Sequence, residues 1–284
     1  MSEKYRILFS DLDATLLNDN KEIEAGALDA IDALLSQGDF FAICTGRPLA
    51  SARAVACKAG LERSGCYIVS YNGGVIYDPS RDQIVSYASI PLSVVRRLFE
   101  KAQQAGLYIH TYDRTSDTVL TIRHTKELDA YIAHTRLRPK TGAGVLEQMT
   151  EEPAKMIVIS EDHKRLEQFQ KENEAWSGDV LNSFFSCEPY LEYCPAGISK
   201  GSAVRALCAY LNLPVAASVA AGDERNDIAM LQAAGIGAAP RNAHPLAKEA
   251  ADYVCEKDHN EGAVGEIIRR FFIDARSSGE TKVS

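Results

Sequence analysis

Two aspartates separated by one residue, in Asp11-Leu12-Asp13-Ala14-Thr15, follow directly on the β-prone run Tyr5-Arg6-Ile7-Leu8-Phe9-Ser10. Their side chains therefore emerge at the carboxyl end of a strand, where open α/β sheets bind ligands. Alternation along extended backbone turns Asp11 and Asp13 to one side, which suits a nucleophile paired with a proton carrier. A second run, Phe40 to Cys44, ends in Thr45-Gly46-Arg47-Pro48. That segment offers a hydroxyl and backbone N–H groups at a helix N-terminus, where oxyanions are favoured. Gly222-Asp223-Glu224-Arg225-Asn226-Asp227 adds carboxylates and an amide after the run Ala216 to Ala221, and Lys200 opens a helix in Gly197-Ile198-Ser199-Lys200-Gly201. Its ammonium can present a point charge to a phosphoryl oxygen. Asp11, Asp13, Asp223 and Asp227 converging on one place would repel one another, whereas Mg²⁺ prefers such hard oxygen ligands. Singly, the aspartates and Thr45 would serve as helix caps and Lys200 as a solvated surface residue. Their shared placement at strand ends and helix starts is what points to chemistry.

The elements that must position these groups are legible as alternating strands and helices. Between the first two strands runs a helical pattern with apolar positions Leu28, Ile31, Leu34 and Leu35, ending at Gly38. Pro48 suits the first turn of a helix that continues through Ala59, and Cys66 to Ser70 reads as a third strand. Continuous apolar strands alternating with helices predict a doubly wound, Rossmann-like parallel sheet. From about Pro79 to Pro189 the chain becomes more polar. Strands at Tyr108 to Tyr112 and Thr118 to Ile122 lie in a hairpin-like arrangement, and helical patterns cover Leu92 to Ala105 and Lys126 to Leu137. Strand Lys155 to Ser160, helix Arg165 to Trp176, and strands Asn182 to Cys187 and Tyr190 to Cys194 follow. The α/β texture resumes with helix Ser199 to Leu211 and helix Ile228 to Ala234. The economical division is a core in two parts, 1–79 and 190–273, an inserted α+β domain at 80–189, and a disordered tail at 274–284.

Composition narrows the function classes. The chain has 284 residues, 46% of them hydrophobic, enough for two domains with a sizeable core. A formal charge of −8 argues against a nucleic-acid or acidic-membrane surface, and no run of eighteen apolar residues marks a membrane span. Seven cysteines without a C-x-x-C pair read as reduced, buried thiols of a cytoplasmic protein. Gly235-Ile236-Gly237-Ala238-Ala239-Pro240 lacks the third glycine of a dinucleotide loop and reads as a short strand.

These motifs together resemble the haloacid dehalogenase superfamily, and within it the Cof-like phosphatases, which carry a large α+β cap. The resemblance spans nearly the whole chain. The family's D-x-D-x-T falls on Asp11, Asp13 and Thr15, its T-G-R on Thr45 to Arg47, and its S-Y-N-G on Ser70 to Gly73. Its lysine motif falls on Ile198 to Gly201, and its G-D-x-x-N-D on Gly222 to Asp227. The resemblance implies a magnesium-dependent phosphatase acting on a small organic phosphate, such as a sugar phosphate, through an aspartyl phosphate. It implies Asp11 as nucleophile and metal ligand, Asp13 as acid, then base, and backbone metal ligand, and Asp223 as metal ligand. Thr45 (with Gly46) and Lys200 would hold the phosphoryl group, Asn226 the substrate phosphate, and Asp227 the metal site, while Asn72 and Gly73 would contact substrate. A phosphotransferase or phosphomutase on the same scaffold is the nearest alternative. A phospho-acceptor switch resembling a response-regulator receiver is another, although such a module is much shorter and lacks a counterpart of Asp13. Two positions depart from the family pattern. Ala14 stands where glycine is usual, at a cost of about 1 kcal/mol if its backbone is left-handed. Arg241, in Ala238-Ala239-Pro240-Arg241-Asn242-Ala243, also stands where glycine is common.

Overall fold

The computed structural model describes residues 6–114 and 117–274; Tyr5 and the predicted tail beyond Asp274 lie outside the described residues. The chain opens with strand β1 (Ile7–Asp11), helix α1 (Ala25–Ser36), β2 (Phe40–Cys44), α2 (Leu49–Lys58), β3 (Cys66–Ser70), β4 (Val75–Asp78) and β5 (Gln83–Tyr87). It continues through α3 (Leu92–Gln104), β6 (Tyr108–Tyr112), β7 (Thr118–Thr121), α4 (Lys126–Thr135), β8 (Arg138–Thr141), β9 (Met156–Ile159), α5 (His163–Ser177), β10 (Leu181–Cys187) and β11 (Tyr190–Pro195). The last part holds α6 (Lys200–Tyr210), β12 (Ser218–Ala221), α7 (Ile228–Ala233), β13 (Ile236–Ala239), α8 (Pro245–Ala250), β14 (Tyr253–Val254) and α9 (Ala263–Ile268). Asp274 closes a final helical turn, Arg269–Asp274.

Two compact units emerge. One comprises the described residues up to Gly46, Ala52–Val85 and those from Ser199 onward; the other comprises Ser86–Ile198 with Arg47–Ser51. In the first, eight strands lie in the order β14-β13-β12-β1-β2-β3-β4-β5. The six from β14 to β3 are parallel, and β4 runs antiparallel to β3. β1 is buried along its whole length, which is why it reads as an unbroken run rather than an alternating one. Helix α1 starts where the Glu24 carboxylate accepts the Ala27 N–H, and it buries Ala27, Ala30, Ile31 and Leu34 along one stripe. The chain leaves β1 toward β2 and β3 on one side and returns to β12 and β13 on the other, so β1 lies at the switch in strand order. Register then fixes the neighbours: Asp11 stands opposite Cys44 and Ser10 opposite Ala221. Thr45 and Gly222, each one residue further along, are thus delivered beside Asp11.

The second unit holds a six-stranded sheet in the order β10-β11-β9-β6-β7-β8. β11 pairs with both β9 and β10, so this sheet extends beyond residue 189. Helices α3 and α5 contribute Val95, Leu98, Phe99, Leu166 and Phe169 to an apolar core with Ile109, Met156, Val158 and Leu191. His110, wholly buried on β6, has its Nε2 3.1 Å from the Tyr112 hydroxyl. Burial, reinforced by Lys155, pushes its imidazole down to about 3. The unfolded chain, with histidine near 6.5, binds the proton that the folded chain refuses. The associated stability is therefore present above pH 6.5 and is lost as pH falls toward 3, by up to about 1.4 kcal/mol per pH unit. His110→Gln should flatten the stability profile between pH 6 and pH 4, as read from urea unfolding midpoints; an unchanged slope would contradict this.

Two details differ from expectation. Cys57 and Cys187 are exposed, at the outer side of α2 and the β10–β11 turn, while the other five cysteines are buried and all seven are free. β8, the polar stretch Arg138–Thr141, pairs parallel to β7 although all four residues are exposed, so no hydrophobic pattern announces it. Among the described residues no helix is long and apolar enough to cross a membrane.

Candidate active site

Lys200 organises the site. Its side chain is fully buried, and Nζ donates to Asp11 Oδ1 and to Asp227 Oδ1, each at 2.5 Å. Ser199 places it there by capping α6 through a reciprocal pair of bonds with Ser202. Gly201 lets the helix settle against α7, since a Cβ would lie 2.1 Å from the Ala229 carbonyl oxygen. Gly73 (φ +107°) does the same from the other side, because a Cβ there would meet the Ser199 carbonyl oxygen at 2.3 Å. Burial alone would lower the Lys200 pKa, but the carboxylates of Asp11 and Asp227 outweigh it and hold the group as ammonium.

The acidic groups meet as follows. Asp227 folds back over Gly222, where its Oδ2 accepts the backbone N–H groups of Asp223 and Glu224 at 3.0 Å each. Asp223 Oδ1 accepts from the Thr15 hydroxyl at 2.6 Å. One oxygen each from Asp11, Asp223 and Asp227 lies within 4.8 Å of the others. Burial pushes the Asp11 carboxyl well above the usual range despite Lys200, and it pushes Asp223 up to about 6 despite the Thr15 bond. Three carboxylates, Asp11 and Asp227 buried and Asp223 partly so, thus face the Lys200 ammonium, leaving negative charge uncompensated. That all-oxygen donor set fits a hard divalent cation such as Mg²⁺.

The remaining expected residues are distributed around this cluster. Thr45 is buried at the end of β2, and its carbonyl accepts the Asn72 N–H at 3.0 Å. Asn72 is buried in the left-handed region (φ +55°), directly after Tyr71 (φ +52°), strain of the kind found at functional sites. Its Oδ1 accepts from Asn226 Nδ2 at 3.2 Å, and its amide lies against Gly46, where a Cβ would sit 3.1 Å from Oδ1. Asn72 therefore links the loops after β2 and β12. The Asp13 carboxylate is not gathered with the other three. It is 41% exposed and pairs with Lys21 at 3.0 Å, and the strand itself ends at Asp11. Ala14, the residue after Asp13, takes φ +58°. Ala14→Gly should relieve a left-handed alanine and stabilise the protein by about 1 kcal/mol in a denaturant titration; a loss of stability would contradict this.

Sequence reasoning did not assign roles to Lys21, Asn242 or Gly222. Gly222 and Asn242 lay in segments that the sequence singled out, Gly222 in its motif and Asn242 in the loop Ala238 to Ala243; Lys21 did not, and the contacts that bring Lys21 and Asn242 to the site are ones no local pattern encodes.

Residues 8–268 match the family described as haloacid dehalogenase-like hydrolase. A haloacid dehalogenase-like hydrolase from Bacteroides thetaiotaomicron superimposes with a TM-score of 0.86 at 28% identity, covering 95% of this chain and 100% of that one. The 5-amino-6-(5-phospho-D-ribitylamino)uracil phosphatase YitU of Bacillus subtilis is 25% identical over 96% of this chain and 99% of its own length. The HMP-PP phosphatase of Yersinia enterocolitica is 25% identical over 86% of this chain and 87% of its own length.

Proposed function

The chain belongs to the haloacid dehalogenase-like hydrolases and is a hydrolase acting on phosphate esters; from that premise we propose that it cleaves a small organic phosphate monoester through a phosphate carried on Asp11. The observation that carries this reading is the buried Lys200, bonded to both Asp11 and Asp227 at the carboxyl edge of the parallel strands. We propose that the first unit carries the chemistry and that the Ser86–Ile198 unit is the inserted α+β domain.

Ionised Asp11 attacks phosphorus while the ester P–O bond breaks. Bringing the carboxylate to a phosphate dianion costs about 4 kcal/mol per charge pair near 4 Å at an effective dielectric of 20. Lys200 offsets part of that repulsion. Mg²⁺, held by Asp11, Asp223, Asp227 and the Asp13 carbonyl, would supply the rest of the compensating positive charge. Thr45, the Gly46 N–H and Asn226 hold phosphoryl oxygens. Asp13 gives its proton to the departing alcohol oxygen, then removes one from the water that attacks phosphorus. Inorganic phosphate leaves and the Asp11 carboxylate is restored. Sugar phosphates are the substrate class proposed, by resemblance.

The test is phosphate release from a panel of phosphate monoesters that includes p-nitrophenyl phosphate. Activity should disappear in excess EDTA and return with Mg²⁺, whereas undiminished hydrolysis in chelator would remove the metal from the account. Sugar-phosphate isomerisation without phosphate release would favour a mutase. An aspartyl phosphate that accumulates without turnover would favour the acceptor switch.

A further inference from the structure

We infer that Asn242 is a positioning residue for Asp13, acting through the backbone of Ala14; this rests on the reading of Asp13 as acid and base. Ala14 sits at φ +58°, a conformation its methyl side chain does nothing to hold. The loop is pinned on both sides of it. The Leu12 carbonyl accepts the Leu17 N–H at 2.8 Å, and the Thr15 hydroxyl donates to Asp223. Between these pins, Asn242 Nδ2 donates to the Ala14 carbonyl at 2.8 Å, while Asn242 Oδ1 accepts the His259 N–H at 3.0 Å. Because His259 contributes a backbone donor, it fixes which end of the amide is oxygen and which faces Ala14.

Asn242 is exposed, so packing does not hold it; its neighbours do. Arg241 donates its backbone N–H to the Lys257 carbonyl at 2.9 Å, and its guanidinium reaches the Glu256 carbonyl at 2.8 Å, Asp258 at 2.9 Å and Glu261 at 2.7 Å. On the other side, the His244 N–H donates to the Asp223 carbonyl at 2.8 Å. The two unusual positions, Ala14 and Arg241, thus meet at one amide. Arg241 fastens the loop that carries Asn242, and Asn242 steadies the strained residue that follows Asp13.

The experiment compares Asn242→Ala and Asn242→Asp with the parent protein on glycerol phosphate and on p-nitrophenyl phosphate. The alkyl ester needs a proton delivered to its leaving oxygen; the nitrophenolate departs without one. Both variants should lose about tenfold or more in kcat/KM on glycerol phosphate and less than about threefold in kcat/KM on p-nitrophenyl phosphate, because kcat/KM ends at formation of the aspartyl phosphate and excludes the later water step, in which Asp13 serves both esters. Asn242→Asp keeps the acceptor for His259 but not the donor for Ala14, so parental rates in that variant would overturn the inference. Equal losses of kcat/KM on both esters would overturn it as well. Asp13→Asn is the companion measurement. If it keeps the parental rate on glycerol phosphate, the acid–base reading itself fails; if it is inactive while Asn242→Asp is normal, only the inference does.

Discussion

Asp11→Asn is expected to fold normally and to lose at least about 10⁴-fold in kcat, the largest single effect on activity predicted here. The amide matches the carboxylate in shape but is a very weak nucleophile, so no phosphate can be carried on residue 11. Stability should not suffer. The Asp11 carboxyl is held well above its ordinary range by burial, which means that its ionised form is disfavoured in the fold. An uncharged amide removes that penalty, and Lys200 keeps its bond to Asp227. Phosphate release and thermal unfolding of the same preparation check both halves. A variant that hydrolyses p-nitrophenyl phosphate at the parental rate would refute the nucleophile assignment.

Lys200→Ala should show the largest stability loss. The lysine is the partner of two buried carboxylates, and removing one side of a buried ion pair leaves uncompensated charge, typically at a cost of about 3–5 kcal/mol. For a protein of this size that corresponds to a fall in melting temperature of roughly 10 °C. Part of the loss should return when Mg²⁺ is added, because a cation would again face Asp11 and Asp227. Combining Lys200→Met with Asp227→Asn should recover more of the melting temperature than the additive sum allows, since the two residues touch. A melting temperature that does not move in Lys200→Ala would show that the buried contact contributes nothing.

The parts of this protein that sequence made legible share a physical origin. β1, β2, β3 and β12 are sandwiched on both faces, so each appears as an unbroken apolar run, and each ends in residues too polar to continue it. The parallel pairing of those strands then sends Asp11, Thr45 and Asp223 to one edge without further information. The hairpin of β6 and β7 was readable from two β-prone runs lying close together in the chain, and the strand at Ile236–Ala239 from a short apolar run. Elements without a packing signature were not readable. β8 is polar throughout, β14 spans two residues, and α8 and α9 are each too short to display a helical period. At the site, the limits were set by backbone geometry and by long-range polar contacts. Ala14 could be named as a suspect position, but neither its positive φ nor the pairing of Asp13 with Lys21 could be read from the sequence. Gly73, read as a substrate contact, has in addition a packing reason to be glycine, the close approach of the Ser199 carbonyl, which the sequence did not announce. Asn242 meets Ala14 across 228 positions of sequence, a pairing no local pattern announces.

Acid quenching during steady-state turnover of a phosphate monoester, followed by proteolysis and mass spectrometry, tests the central claim most directly. Phosphate is expected on the peptide containing Asp11, at residue 11, and should be absent from Asp11→Asn. Phosphate found on another residue, or turnover that continues in the absence of Asp11, would contradict the account.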